Sequence, residues 1–241
     1  MLKAVFFDLD GTLLPLDEEA FTNVYFHLLY EKVKSIGYEK DKLINTIWQG
    51  TKKMYANDGS TSNEEVFWNE FKKAYGEEKI NDKKLFDEFY SNEFKKLKAI
   101  CQDNFYAREI IDFCHKNGLD TYLTTNPIFP LEGTKTRMSF INLTVDDFNL
   151  VTSYENSSYT KPNPKYFSKI LKGYNLNPNE VILFGNNTLE DGDCAYECGI
   201  KCFLVGDFII ENPKSKHYYP RIRMDEVIPM IIEEIEDRKN A

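Results

Sequence analysis

The sequence is poor in the residues from which several common kinds of site are built. It has five cysteines and three histidines in 241 residues. The cysteine count is odd and the chain is long for a disulfide-stapled scaffold, so a reducing compartment is expected. Cys194, Cys198 and Cys202 are spaced by four, but no histidine or fourth cysteine lies near enough in sequence to complete a zinc shell. They read instead as small apolar side chains of a helix and a strand. Basic residues are also short: 30 Lys and Arg stand against 39 Asp and Glu, for a net charge of −9. That balance argues against nucleic acid or an anionic membrane as the main partner, although local charge still permits a small anionic substrate. No apolar run nears the roughly 20 residues that cross a bilayer. The chain opens on a strand-like segment rather than a signal-peptide pattern. A soluble, cytoplasmic protein is expected.

Hydrophobic residues make up 42% of the chain and charged residues 29%, a globular rather than a disordered composition. Short apolar runs at Leu2 to Phe7, Asp120 to Thr125, Leu150 to Ser153, Val181 to Phe184 and Lys201 to Val205 read as buried parallel strands. Helical patterns lie between or after them, at Tyr106 to Asn117, Leu131 to Ile141, Tyr166 to Tyr174, Asp191 to Cys198 and Asp225 to Arg238. Strands alternating with helices predict an α/β fold with a doubly wound, Rossmann-like parallel sheet. From Asp17 to Ile100 the strand signal is missing. Phe21, Tyr25, Leu28 and Leu29 form one helical stripe, Leu43, Ile47 and Trp48 a second, Val66, Phe67 and Phe71 a third, and Leu85, Phe86, Phe89 and Phe94 a fourth. The expectation is a core of residues 1–16 and 101–241, with residues 17–100 inserted as an all-helical cap of about four helices that has its own core. The stripe aromatics are read as packing rather than as a binding surface.

The first strand ends in Asp8-Leu9-Asp10-Gly11-Thr12. Ligand sites in open parallel sheets form at the carboxyl ends of strands. Alternate residues of an extended segment point the same way, so both carboxylates can reach one pocket. Such a pair serves as metal ligands, or as a nucleophile with a general acid/base partner. Gly11 permits the tight turn and Thr12 can hydrogen-bond the loop.

The run Val5-Phe6-Phe7-Asp8-Leu9-Asp10-Gly11-Thr12-Leu13 resembles the first motif of the haloacid dehalogenase superfamily, most of whose members are phosphatases. Three further motifs follow in order. Tyr122-Leu123-Thr124-Thr125-Asn126 resembles the second, with Thr125 the closer equivalent and Thr124 the alternative. Thr160-Lys161-Pro162-Asn163-Pro164 resembles the third, a lysine among prolines. Val181 to Asp191 resembles the fourth, with Gly185 and Asp191 matching and Asn186 where the first acid usually stands. An asparagine oxygen can ligate magnesium but carries no charge, so a weaker or rearranged metal site is expected.

The resemblance implies a magnesium-dependent phosphatase acting on a small phosphorylated metabolite, as a monomer or homodimer. Asp8 would be the nucleophile, Asp10 the general acid/base, and Lys161 a catalytic and phosphate-binding cation beside Thr125 and Asn126. Asp8, the main-chain carbonyl of Asp10, Asp191 and Asn186 would hold Mg2+, with Asp191 as the main ligand and Glu190 and Asp193 in reserve. Asp10 favours phosphoryl transfer over attack on a carbon–halogen bond. A phosphomutase would use the same two aspartates, and Asn186 leaves room for a catalytically weakened binding or regulatory protein. Gln49, Thr51, Lys52 and Lys53 are read as a solvated helix face. Tyr154, Glu155 and Tyr159 are candidates to line the site entrance.

Overall fold

The computed structural model describes residues 1–240. Among these residues six strands form one parallel sheet: β1 (Ala4–Phe7), β2 (Asp120–Leu123), β3 (Leu150–Val151), β4 (Val181–Gly185), β5 (Lys201–Val205) and β6 (Arg221–Ile222). Their order is β3-β2-β1-β4-β5-β6. The chain moves outward from β1 to β2 and β3, then returns to the other side of β1 for β4. This reversal creates a switch point at the carboxyl ends of β1 and β4, the place where open sheets bind ligands. β6 is Arg221–Ile222, which has no apolar run to mark it in the sequence.

The central strands β1 and β4 are apolar and buried throughout because both faces of the sheet are covered there. In β1, Val5 and Phe7 join one apolar cluster and Ala4 and Phe6 the other. Phe7, Phe184 and Phe203 stack across three adjacent strands, each neighbouring pair 5.6 Å apart between ring centres. On the opposite face, Phe6 lies 6.1 Å from Phe167, and Cys194 and Cys202 pack into the same cluster.

Between β1 and β2 the chain forms α1 (Glu18–Val33), α2 (Lys40–Tyr55), α3 (Asn63–Tyr75), α4 (Lys83–Ser91), a 3-10 stretch at Glu93–Ile100 and then α5 (Tyr106–Lys116). Asp17 caps α1 by accepting from the Ala20 amide, and Ser62 caps α3 by accepting from Glu65. The segments that carry the chain out and back lie together, since the Gln102 amide donates to the Pro15 carbonyl at 2.9 Å. The remaining helices are α6 (Leu131–Ser139), α7 (Lys165–Gly173), the short α8 (Cys194–Tyr196) and α9 (Val227–Asn240). The helix expected from Asp191 begins instead as a π-turn over Thr188–Asp193.

The inserted helices do not keep a separate core. One continuous apolar cluster runs from Phe7 and Phe184 in the sheet to Phe71 and Phe89 in the insertion. Phe129, in the loop after β2, is planted among insertion rings, 5.6 Å from Tyr25 and 6.1 Å from Phe21. Tyr90 lies against Gly133 of α6, where a Cβ would stand 2.8 Å from the ring. The insertion's stripes are wide enough to pack on each other and on the loop between β2 and α6, so the two cores merge.

Candidate active site

The loop after β1 is fixed by its own backbone. Gly11 donates to Leu14, while Thr12 and Leu14 both donate to the Leu9 carbonyl. Gly11 has φ +78°, and a Cβ there would meet the Asn186 side chain at 2.0 Å. The glycine is required both for the turn and for close approach to the loop after β4.

Asp8 is 5% exposed and Lys161 1%. Lys161 Nζ donates to Asp8 Oδ1 at 2.8 Å and to Asp191 Oδ1 at 2.5 Å. Thr12 Oγ1 donates to the other Asp8 oxygen at 3.1 Å. Asp191 Oδ2 accepts from the backbone amides of Asn186 and Asn187, each at 3.0 Å. Gly185 makes this possible, since a Cβ at that position would lie 2.4 Å from the Asp191 carboxyl carbon. The π-turn sets Asp191 back toward the strand end, and such turns recur at functional sites.

Burial pushes the Asp8 carboxyl up to about 7, Lys161 opposes the rise, and Asp191 and Asp10 add to it. Burial alone would lower Lys161, but the Asp191 and Asp8 carboxylates outweigh it and hold its ammonium well above the ordinary value. Two acids share one buried cation, so the cluster is short of positive charge.

Asp10 stands beside it with a different partner. Arg137 of α6, 1% exposed, forms an ion pair with Asp10 Oδ2. The guanidinium is held by the Gly133 carbonyl and the Thr134 hydroxyl, and it stacks over Phe129 at 4.6 Å. Asp10 Oδ1 is buried without a hydrogen-bond partner among the described residues. Sequence reasoning did not single out Arg137. The available signal was its position three residues from Thr134 on the face of α6 that is buried through Thr134 and Met138, where a lone arginine needs a partner.

Thr125 lines the cavity, whereas Thr124 Oγ1 turns back to the Phe7 carbonyl at 3.3 Å. The Thr125 carbonyl is tied to the Thr152 and Tyr166 hydroxyls. Asn126 Nδ2 donates to Glu190 Oε2 at 2.8 Å, and the other Glu190 oxygen accepts from Tyr55 of α2 at 3.0 Å. This joins the insertion to the sheet edge. Asn186 Nδ2 donates to the Phe208 carbonyl. Asp193 is engaged away from the site by Tyr219 and Ser215. Thr51 lines the cavity, while Gln49, Lys52 and Lys53 are exposed. Tyr154 also lines it. Glu155 instead accepts from the Leu131 amide, and Tyr159 lies over Gly59 and donates to the Asp58 carbonyl.

All of Asp8, Asp10, Thr125, Asn126, Lys161, Asn186 and Asp191 face one cavity of about 320 Å3. Its floor is the switch point and its roof is α1, α2, α3 and α4. Fold and site together define an α/β protein with a carboxylate pair at the end of its first strand, closed over by a helical insertion.

The sequence pattern of the haloacid dehalogenase-like hydrolases matches residues 5–205, and the chain belongs to that family. It is 29% identical over 142 residues to the glyceraldehyde 3-phosphate phosphatase of Pyrococcus furiosus. That match takes in 56% of this chain and spans about half, 55%, of the relative's length. Among solved structures, a β-phosphoglucomutase from Clostridium difficile superposes with TM-score 0.54 at 16% identity, covering 100% of both chains. L-2-haloacid dehalogenase from Xanthobacter autotrophicus, with chloropropionic acid covalently bound, superposes with TM-score 0.58 at 14% identity, covering 96% of this chain and 99% of that one. At these identities the structural likeness establishes the fold.

Proposed function

We propose that this chain hydrolyses a small phosphomonoester through an aspartyl-phosphate on Asp8. The observation that carries the reading is the pairing of Asp8 with Lys161 and of Asp10 with Arg137 at the floor of one cavity. The match to a curated phosphatase supports phosphate as the group transferred.

In the first step a carboxylate oxygen of Asp8 attacks phosphorus, the ester P–O bond breaks, and Asp10 delivers a proton to the leaving oxygen. In the second, Asp10 takes a proton from water as that water attacks phosphorus and frees Asp8. Arg137 holds one oxygen of Asp10 and leaves Oδ1 to exchange the proton. Lys161 and Thr125 hold the transferring oxygens, and Lys161 counters charge on the phosphoryl group. Asp191 keeps Lys161 in place. Residues 17–100 act as the cap and residues 1–16 and 101–241 as the catalytic core.

Asp8, Asp10, Asp191 and Asn186 all present oxygen atoms at the same cavity, so the donor set suits a hard cation. No group of three or more His, Cys, Asp and Glu side chains is arranged around one ion position among the described residues. Magnesium, which is commonly held by one or two carboxylates together with substrate phosphate, fits such a sparse set. Asp8, the main-chain carbonyl of Asp10, Asn186 and Asp191 would hold it, with Asp8 and Asp191 both also paired with Lys161. Bound there, it would offset repulsion between carboxylate and phosphate.

The test is release of phosphate from p-nitrophenyl phosphate with magnesium, repeated after chelation and with Asp8→Asn. Turnover that needs both the metal and Asp8 supports the reading. Turnover unchanged in Asp8→Asn, or none across a broad phosphate panel, overturns it.

A further inference from the structure

The cavity above Asp8 carries information about the alcohol that leaves. Resting on the phosphatase reading, we propose that this alcohol is a bulky apolar one, about the size of a benzene ring, that bears no negative charge.

Volume is the first argument. An apolar cavity of about 150 Å3 accepts benzene. The 320 Å3 here therefore has room for a ring-sized body beside the phosphoryl group. A three-carbon alcohol would leave much of it to water.

The chemistry of the walls is the second. Phe21, Phe26, Trp48, Phe67 and Phe86 present carbon to the cavity. The polar ends of the other aromatic residues are turned on one another. Tyr25 and Tyr90 share a hydroxyl–hydroxyl bond at 3.0 Å, and Trp68 Nε1 donates to the Tyr154 hydroxyl at 3.2 Å. Tyr55 and Asn126 are both bound to Glu190. These wall donors are thus satisfied within the protein, which leaves few, among them the Thr22 and Thr51 hydroxyls, to replace the hydration that a polyol would lose.

Charge is the third. Among the described residues, the cations that line the cavity are Lys161 and Arg137, and both are already paired with carboxylates. The other acidic side chains that line the cavity are Asp87, Glu190 and Glu18, the last pushed up to about 8 by burial. Asp87 sits at the α4 end, where Glu64 and Glu132 add to its negative surroundings and Lys83 opposes them. A carboxylate or second phosphate on the leaving group would meet carboxylates with no cation to answer it. The same absence counts against a phosphomutase primed by a bisphosphate.

The experiment uses the full chain and three matched primary phosphates: benzyl phosphate, 4-carboxybenzyl phosphate and 4-(aminomethyl)benzyl phosphate, with glyceraldehyde 3-phosphate as the polar reference. The benzyl and aminomethyl esters should exceed the carboxybenzyl ester in kcat/KM by at least about tenfold, and should exceed the triose phosphate as well. Independently of turnover, the corresponding alcohols are titrated against intrinsic fluorescence. Trp48 and Trp68 are the two tryptophans of the chain and both line the cavity. Saturable quenching by benzyl alcohol and not by 4-carboxybenzyl alcohol supports the inference. A carboxybenzyl ester or triose phosphate turned over as well as benzyl phosphate overturns it and leaves the phosphatase reading standing. If no phosphate is hydrolysed, the phosphatase reading fails, and the titration alone decides the preference of the cavity: equal or stronger quenching by the carboxylate overturns it.

Discussion

The sheet edge and the helical insertion face each other across one cavity but are held by different physics. At the sheet edge, Asp8, Lys161, Asp191, Asp10 and Arg137 are fixed by charge pairs and backbone amides. Across the cavity, rings pack on rings: Phe71 lies 5.0 to 6.3 Å from Tyr38, Phe67, Trp68, Tyr75 and Phe86. The first arrangement is directional and suits one reaction. The second depends on shape and can change its substrate without disturbing the chemistry below. Tyr55 crosses between them, from α2 to Glu190.

The sharpest way to break this contrast is at Asp8. Asp8→Asn should lower kcat/KM by at least about 10^4-fold, because the covalent step is lost. Retention of a tenth of the activity would remove the reaction from the sheet edge. Asp10→Asn comes next, with a fall of about 10²–10⁴-fold measured on a substrate whose leaving alcohol needs a proton. The deficit should shrink with p-nitrophenyl phosphate, whose leaving group needs little protonation.

In the insertion the large effect is on stability. Phe71→Ala empties a fully buried ring site and should destabilise the protein by about 3–5 kcal/mol in urea unfolding. Because the apolar cluster is continuous from sheet to insertion, wild-type unfolding should be one transition. Two transitions would show that the insertion unfolds as a separate unit.

The pH dependence sharpens the charged half. The Asp8 carboxyl is raised from 3.8 to about 7. Between those values the folded state keeps a proton that the unfolded state has released, so this group's contribution to stability falls as pH rises through the window. Asp8→Asn does not titrate. Its melting temperature relative to wild type should rise from pH 4 to pH 7 and level off above, and a flat difference would show that Asp8 is not shifted. In the free enzyme kcat/KM should climb through about pH 7 as Asp8 ionises. The smallest effect is expected at the crossing. Tyr55→Phe removes one hydrogen bond to Glu190 and should raise KM a few-fold, by about 1 kcal/mol, with kcat nearly unchanged.

The parallel sheet was legible because β1, β2, β4 and β5 are short, mostly apolar runs, buried except at Asp120 and Lys201, which open β2 and β5. β6 was not, since Arg221–Ile222 is only half apolar and not buried. The insertion's helices were legible from their stripes, yet the stripe aromatics proved to have two roles. Phe71 and Phe89 are packing alone, whereas Phe21, Phe67 and Phe86 also face the cavity. A helical period marks a buried face but cannot separate a face pressed on a neighbour from one turned to an internal space. Trp48, half exposed on the stripe of α2, belongs to the cavity wall for the same reason.

By itself the sequence determined the local features: a loop that needs Gly11, a carboxylate pair two residues apart, and a lysine and an acid later in the chain. These depend on neighbours in the chain, where backbone geometry limits the options. Only the tertiary structure decided who pairs with whom. Asp191 is 30 residues from Lys161, and Arg137 is 127 residues from Asp10. Whether a charge is answered, and by which partner, is set by the packing of distant segments that remove both from water.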